Sequence, residues 1–424
     1  MPDGNGGYNT YKAYLRKLKA EFDDMPIMVT EYGVPSSIGI SHHGPGGKDQ
    51  GGHDEREQGQ IDASLTQDIY DEGYSGAILF MWQDEWFKKT WNTMPFEIPA
   101  DRRSFWLNVL TNEKMFGVLA MQPGKAEQIA IDGDLSDWDK IPEDEIYTWP
   151  GNAPGVKNMR LTHDEAYLYI GMELEEAFDP AQSKLFIGAD TIPGGDIPEK
   201  ELAGRTLEGG ALETLIQLGN EDESQVTIAP SYDFHRRLYG QEGYWMLPEE
   251  QEVKGTADDP VVPDGTFHSW KLAISLLMNP PDTKFAHPFV DENVGMLMRG
   301  TTDTASPDFH SLAAWQYADQ VVEMRIPWML LGFGDPSSLQ VLDYSPLKDK
   351  RDFSTITADG IRLVPWIVDR SELGESANPI SAETMNLQEI EPYTWELWET
   401  AIYSERLKHS YYDMQEIFQR LPEP

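Results

Sequence analysis

The segment Pro26-Ile27-Met28-Val29-Thr30-Glu31-Tyr32-Gly33 constrains this chain more than any other. Apolar residues rise straight to a single carboxylate, and a glycine follows two positions later. Such a run reads as a strand buried on both faces that delivers one acid to a loop. Helical spacing precedes it over residues 11–22 and follows it over 56–71. A second apolar run, Gly76-Ala77-Ile78-Leu79-Phe80-Met81-Trp82, ends beside Asp84 and Glu85. Helix, strand, helix, strand, with acids gathered at the C-terminal strand ends, is how a (β/α)8 barrel presents its reactive groups. Two such strands precede a change of character, so a barrel is not expected to close from this sequence alone.

Composition narrows the function classes. A chain of 424 residues with 40% hydrophobic content holds two or three domains with real cores. The net charge is −40, with 73 acids against 33 bases, spread along the chain. Nucleic acid and anionic membrane surfaces are therefore poor partners. The excess of acid serves solubility, and a sharper reading gives some of it to calcium. The absence of cysteine excludes disulfides, thiol catalysis and cysteine-type zinc sites. No apolar run is long enough to span a membrane. Residues 1–7 are polar and glycine-rich, without the features of a signal peptide.

The expected organisation is α/β followed by all-β. Residues 1–120 carry the last β/α units of an incomplete barrel, with 102–110 either a closing helix or irregular. The turn-rich stretch Met121-Gln122-Pro123-Gly124-Lys125 marks the boundary. Residues 121–403 show short β-type segments separated by Gly, Pro, Asn and Asp, at 156–161, 166–174, 184–190, 225–229, 269–274, 320–326 and 360–367. That spacing suits a β-sandwich, with the alternation of Tyr167–Met172 fitting a half-buried strand. Two loop-like inserts fall at 193–210 and 248–263. Residues 404–424 form a C-terminal helical segment.

The Val-Thr-Glu-Tyr-Gly and Phe-Met-Trp-Gln-Asp-Glu-Trp-Phe stretches resemble strands seven and eight of glycoside hydrolase barrels related to family 2 and family 5. The resemblance covers about residues 8–118. It implies that Glu31 is the nucleophile of a retaining mechanism, in which a second carboxylic acid protonates the leaving oxygen. It further implies that Tyr32 orients Glu31 and that Trp82 floors a sugar subsite, its ring matching the apolar face of a pyranose. The family's acid/base sits on strand four, which has no counterpart here. Glu85 and Asp84 are the nearest substitutes by position. The long loop 35–56 follows strand seven, where it would lie over a barrel's active site. It carries His42, His43 and His53, which read as sugar hydrogen-bond partners rather than as a zinc motif.

Ile129-Ala130-Ile131-Asp132-Gly133-Asp134-Leu135-Ser136-Asp137-Trp138 resembles the opening of family 9 carbohydrate-binding modules and related DOMON-like sandwiches. Segments near 160–169, 186–190 and 323–328 continue the likeness in order, over about residues 127–370. Asp132, Asp134 and Asp137 offer oxygen ligands for a structural calcium, or else an Asx-rich turn with Trp138 in the core. Relatives that bind sugar clamp a chain end between two tryptophans. Trp149, Trp245, Trp315 and Trp366 are the candidates here, whereas Trp138, Trp270 and Trp328 read as core. A haem-binding variant of the fold would need an axial ligand, for which His163, His235, His268 and Met172 are present but selected by no motif.

Both halves thus point to carbohydrate. The leading expectation is the C-terminal part of a polysaccharide-active retaining glycoside hydrolase, inactive alone, needing no cofactor beyond that calcium. Its partners would be an oligo- or polysaccharide and the missing barrel portion, and its parent protein would be extracellular or cell-surface. The rival is a non-catalytic carbohydrate-binding protein with a vestigial barrel segment.

Overall fold

The computed structural model describes residues 8–124, 129–151, 153–192, 201–202, 205–240, 266–278, 287–343, 353–373 and 384–422. Helix α1 (Thr10–Glu21) starts at Asn9, whose side chain accepts from the Lys12 N–H. Helix α2 (Glu55–Asp71) starts with a capping box. The Asp54 carboxylate accepts from the Arg56 and Glu57 N–H groups, and Glu57 returns a bond to the Asp54 N–H. Between and after them lie strands β1 (Met28–Tyr32) and β2 (Gly76–Leu79), which pair in parallel with Met28 opposite Gly76. Leu15, Tyr32, Leu65 and Ile69 form the small core beneath this sheet.

The sheet has two strands and no barrel closes. The expectation of strands buried on both faces is not met, since Met28 and Ile78 are exposed. The physical reason is direct. α1 and α2 cover one face of the pair, and nothing among the described residues covers these side chains on the other.

Most of the remaining chain is strand. One five-stranded antiparallel sheet runs His268–Ser269, Gln225–Ile228, Thr214–Leu218, Ser183–Asp190, Arg362–Asp369. A six-stranded sheet runs Met298–Arg299, Ala313–Ala318, Val321–Pro327, Tyr167–Leu174, Val156–His163, Tyr147–Thr148. Their inner faces share one core, to which Leu161, Ile170, Leu185, Ile187, Ile216, Met324 and Leu363 contribute. This is a sandwich arrangement of two sheets.

The strand Tyr167–Leu174 is buried on both faces rather than half-buried. Leu168, Ile170, Met172 and Leu174 face the shared core. Tyr167 and Tyr169 point the other way, into a second cluster with Trp86, Leu107, Ile131 and Trp138. The period of two is intact. The outer face is buried because residues from the N-terminal part and from 129–138 lie over it. Gly171 is on that face, where an added Cβ would sit 2.8 Å from the Trp138 ring.

Three junctions tie the α/β part to the sandwich. Residues 90–118 form no closing helix, only single 3-10 turns such as Ala100–Arg102 and Asn112–Lys114. Phe96, Trp106 and Leu110 from this stretch enter the sandwich core, so the packing does not divide at residue 120. The second junction is polar: Arg102 reaches the buried Asp335 at 2.6 Å. The third is the C-terminus. The expected helical segment begins instead with a strand, Tyr403–Leu407, antiparallel to Leu119–Pro123. Helix His409–Arg420 follows and packs its Met414 and Ile417 with Val118. Just ahead of it Lys408 donates to Asp84 at 2.8 Å and to Ser36 at 3.0 Å, all buried. Arg406 pairs with Glu55 at 3.0 Å.

A buried ion pair that loses one partner leaves an uncompensated charge, which costs about 3–5 kcal/mol. Lys408→Ala is therefore expected to lower unfolding stability by about that amount, as measured by urea titration of tryptophan fluorescence. A loss under about 1 kcal/mol would mean that Asp84 finds another partner.

Candidate functional site

The C-terminal ends of β1 and β2 bring several acids to one place. Glu31 is exposed at the end of β1. Trp82, just past β2, is 57% exposed and makes a T-shaped contact with Tyr411, ring centroids 6.2 Å apart. Glu85 pairs with Lys88 at 3.3 Å, and the Lys88 ammonium stands 5.0 Å over the Phe80 ring. Phe80 in turn donates its N–H to the Tyr32 carbonyl, next to Glu31.

A further acid joins them. Glu113 is half-buried; burial raises its pKa, and the nearby Glu31 and Glu85 charges push the same way while Lys88 opposes them. Sequence reading missed Glu113 because it lies in an irregular stretch with no periodicity. Its placement comes from buried contacts around it. Lys114 pairs with the buried Glu97 at 2.9 Å. Asn112 accepts from the Thr90 hydroxyl at 2.6 Å, and the Glu85 N–H donates to the Lys114 carbonyl at 3.0 Å.

Two expected roles are not met here. Tyr32 is buried, with its hydroxyl 2.7 Å from that of Thr66 on α2, so it locks the helix rather than orienting Glu31. Asp84 is buried against Lys408 and also accepts from the Gly117 N–H at 2.9 Å, so its carboxylate is taken up by these two partners and does not stand with Glu31 in the open. A cavity of about 260 Å³ lies at the joint between the two parts. Its charged walls are already satisfied: Arg406 by Glu55, Lys408 by Asp84, and Arg325 by the Ser311 and Ala313 carbonyls.

The loop 35–56 folds against the sandwich. His43 lies 2.9 Å from Glu292 and 3.3 Å from Asp49. The Glu292 carboxylate raises its pKa, so the ring serves as a pin to the strand Val290–Asn293 and not as a free sugar ligand. His42 is exposed beside Ser41, 3.3 Å from its hydroxyl, and partial burial lowers its pKa. Asn92 ties the loop down, donating both to Ile40 at 2.9 Å and to Ala273 at 2.8 Å.

The aspartate-rich motif is a turn. Asp132 accepts from the Asp134 N–H at 2.8 Å, Asp134 from the Ser136 N–H at 3.0 Å, and Asp137 from the Ala130 N–H at 2.6 Å. Gly133 has φ +88°, in the left-handed region that glycine favours. The buried Glu323 holds the turn, accepting from the Gly133 N–H at 2.8 Å and from the Trp138 indole at 2.7 Å. Among the described residues no group of three or more His, Cys, Asp or Glu converges as a metal site.

The tryptophan candidates are corrected by burial. Trp366 is fully buried, stacked 5.5 Å from Phe186 on the outer face of the five-stranded sheet, where Leu207, Leu212 and Leu387 cover it. Trp315 is fully buried with its indole bonded to the Leu297 carbonyl at 3.1 Å. Trp149 is buried in the sandwich core. Trp245 lies outside the described residues, as does the insert at 248–263. Of the other insert, Arg205–Glu208 is a strand that pairs in parallel with Thr384–Asn386. Trp138, Trp270 and Trp328 are core, as expected. Of the haem candidates, His163 holds the Tyr393 hydroxyl at 2.6 Å and stacks on Trp398, Met172 is wholly buried, His235 is buried against Tyr239 and Phe289, and His268 is exposed in the strand His268–Ser269.

Comparison of the chain with family models, with curated proteins and with solved structures finds no match. No helix among the described residues is long and apolar enough to cross a membrane.

Burial pushes the Glu323 carboxyl from 4.5 up to about 7. The folded state then binds the proton more tightly than the unfolded one. That contribution to stability is full below about pH 4.5 and is lost as pH rises through about 7. Glu323→Gln cannot titrate. Its melting temperature relative to wild type is therefore expected to climb between those two pH values, and a difference constant with pH would contradict this.

Proposed function

We propose that this chain is the C-terminal part of a retaining glycoside hydrolase, with the sandwich serving chiefly as a buttress. The observation that carries the reading is the open edge of the β1–β2 pair. There an exposed glutamate, an exposed tryptophan and Glu85 stand just at or past the C-terminal ends of parallel strands, with Glu113 beside them on the turn Asn112–Lys114. Parallel βα units concentrate reactive groups at that end. Two carboxylates are the minimum for glycoside hydrolysis, one to attack and one to transfer a proton. Glu31 suits the attack, being solvent-facing. Glu113 shifts in the direction a proton donor needs, but it comes from the loop beside Glu31 rather than from across a barrel.

The family 9-like reading of the sandwich is carried on as support rather than sugar capture. Three of its four candidate tryptophans have no free ring face, and the turn at Asp132–Asp137 is occupied in holding the fold. The exposed Met28 and Ile78 fit the further β/α units that this reading requires on the open side of β1 and β2. Polysaccharide is the matching substrate class, because an exposed tryptophan beside acids suits a pyranose chain.

Purified chain is expected to show no turnover of aryl glycosides. Turnover that survived purification and vanished in Glu31→Gln would overturn the claim of inactivity. Its loss also in Glu113→Gln would assign the proton transfer to Glu113.

A further inference from the structure

A row of charges crosses two strands, and the turn before a third, on the outer face of the five-stranded sheet. Arg362 is the register partner of Asp190. Thr214 is the partner of Ala189 and ends that ladder, and Glu213 precedes it in the chain. The Glu213 N–H donates to the Ala189 carbonyl at 3.1 Å and the Glu213 carboxylate accepts from the Thr191 N–H at 2.6 Å, so Glu213 is bonded to both chain neighbours of Asp190.

Both acids are withdrawn from water. Glu213 is 1% exposed and Asp190 is 6% exposed. One Glu213 oxygen accepts from the Thr191 N–H at 2.6 Å and from its hydroxyl at 3.3 Å. Among the described residues its other oxygen is buried without a partner, as is Oδ1 of Asp190. Arg362 does not neutralise the pair. Its guanidinium grips Asp359 through two bonds, at 2.7 and 3.2 Å, and approaches Asp190 only to 4.0 Å. Among the described residues one cation thus faces three carboxylates, and two of these are buried. Burial raises the pKa of both acids; the Asp190 charge adds to the rise at Glu213, whereas at Asp190 the Arg362 charge opposes it and Asp359 adds to it, and Tyr232 nearby is raised by burial and by the Glu213 and Asp190 charges.

Isolated buried carboxylates are costly unless a cation compensates them. We propose that Asp190 and Glu213 bind a hydrated divalent cation of the magnesium class, through the two oxygens that lack partners. A magnesium-type ion keeps several waters and takes one or two carboxylates, so two acids suffice where no three converge. The ion supplies the missing positive charge, and it joins strand Ser183–Asp190 to the turn that precedes Thr214–Leu218. The site is independent of the acids around Glu31, so the proposed hydrolase reading does not bear on it.

The probe is manganese, followed by electron paramagnetic resonance in the full chain near neutral pH. Moderate salt weakens diffuse binding to the many surface acids. One tightly bound ion per chain is expected in the wild type, displaced by excess magnesium. Glu213→Gln and Asp190→Asn keep side-chain shape and are each expected to weaken binding at least about tenfold. Melting temperature provides the second reading. Magnesium should raise it in the wild type and leave it unchanged in both variants. No stoichiometric ion in the wild type, or an ion held equally by Glu213→Gln, would overturn the proposal. The pair would then share a proton, and Glu213→Gln would melt higher than wild type without any metal.

Discussion

The pairing of Lys408 with Asp84, and of Arg406 with Glu55 beside it, is the interaction on which the rest of the structure depends. Asp84 and Glu55 belong to the α/β part, one just past β2 and the other in the first turn of α2. Their partners come from the far end of the chain. All four are in the joint between the parts, with Asp84 and Lys408 almost wholly buried. Buried pairs contribute little net stability but make wrong arrangements expensive. Here they fix where the terminal strand and helix return, and with them the floor under Trp82, since Tyr411 follows directly in that helix.

The second constraint is the strand Tyr167–Leu174, which serves two cores at once. Its even-numbered side chains hold the two sheets together, and Tyr167 and Tyr169 receive Trp86 and Leu107 from the α/β part. The sandwich therefore supplies the packing surface that a two-stranded parallel sheet cannot make for itself. The Glu97–Lys114 pair and the Asn112–Thr90 bond transmit that support to the turn bearing Glu113. The acids at the strand ends stand on a rigid base, even though the β1–β2 sheet above them is open.

Local pattern made much of this legible. α1, α2, β1, β2 and the strands at 156–163, 167–174, 183–190, 321–327 and 362–369 follow from apolar spacing and turn residues. Ala313–Ala318 escaped notice because alanine carries little β preference, and it is a strand because Trp315 has the core to fill. Tyr403–Leu407 merged with the helix after it, since only its long-range partner at 119–123 makes it a strand. Burial was the hardest to foresee. A tryptophan reads alike whether it is exposed, as in Trp82, or covered, as in Trp366. The family 9-like motif was visible as a motif, but its anchor, Glu323, lies far along the chain and is found only through contacts. Glu113 gave no signal, because irregular segments are placed by tertiary bonds and not by periodicity.

The central claim is that the strand-end acids stand on a single cooperative body that includes the sandwich. Native-state hydrogen exchange tests it most directly, by comparing amides in α2, in Tyr403–Leu407 and in Tyr167–Leu174. The account predicts that all three exchange through one global opening, with the same free energy and the same denaturant dependence. Exchange of α2 through a separate, lower-energy opening, with the sandwich strands still protected, would contradict it.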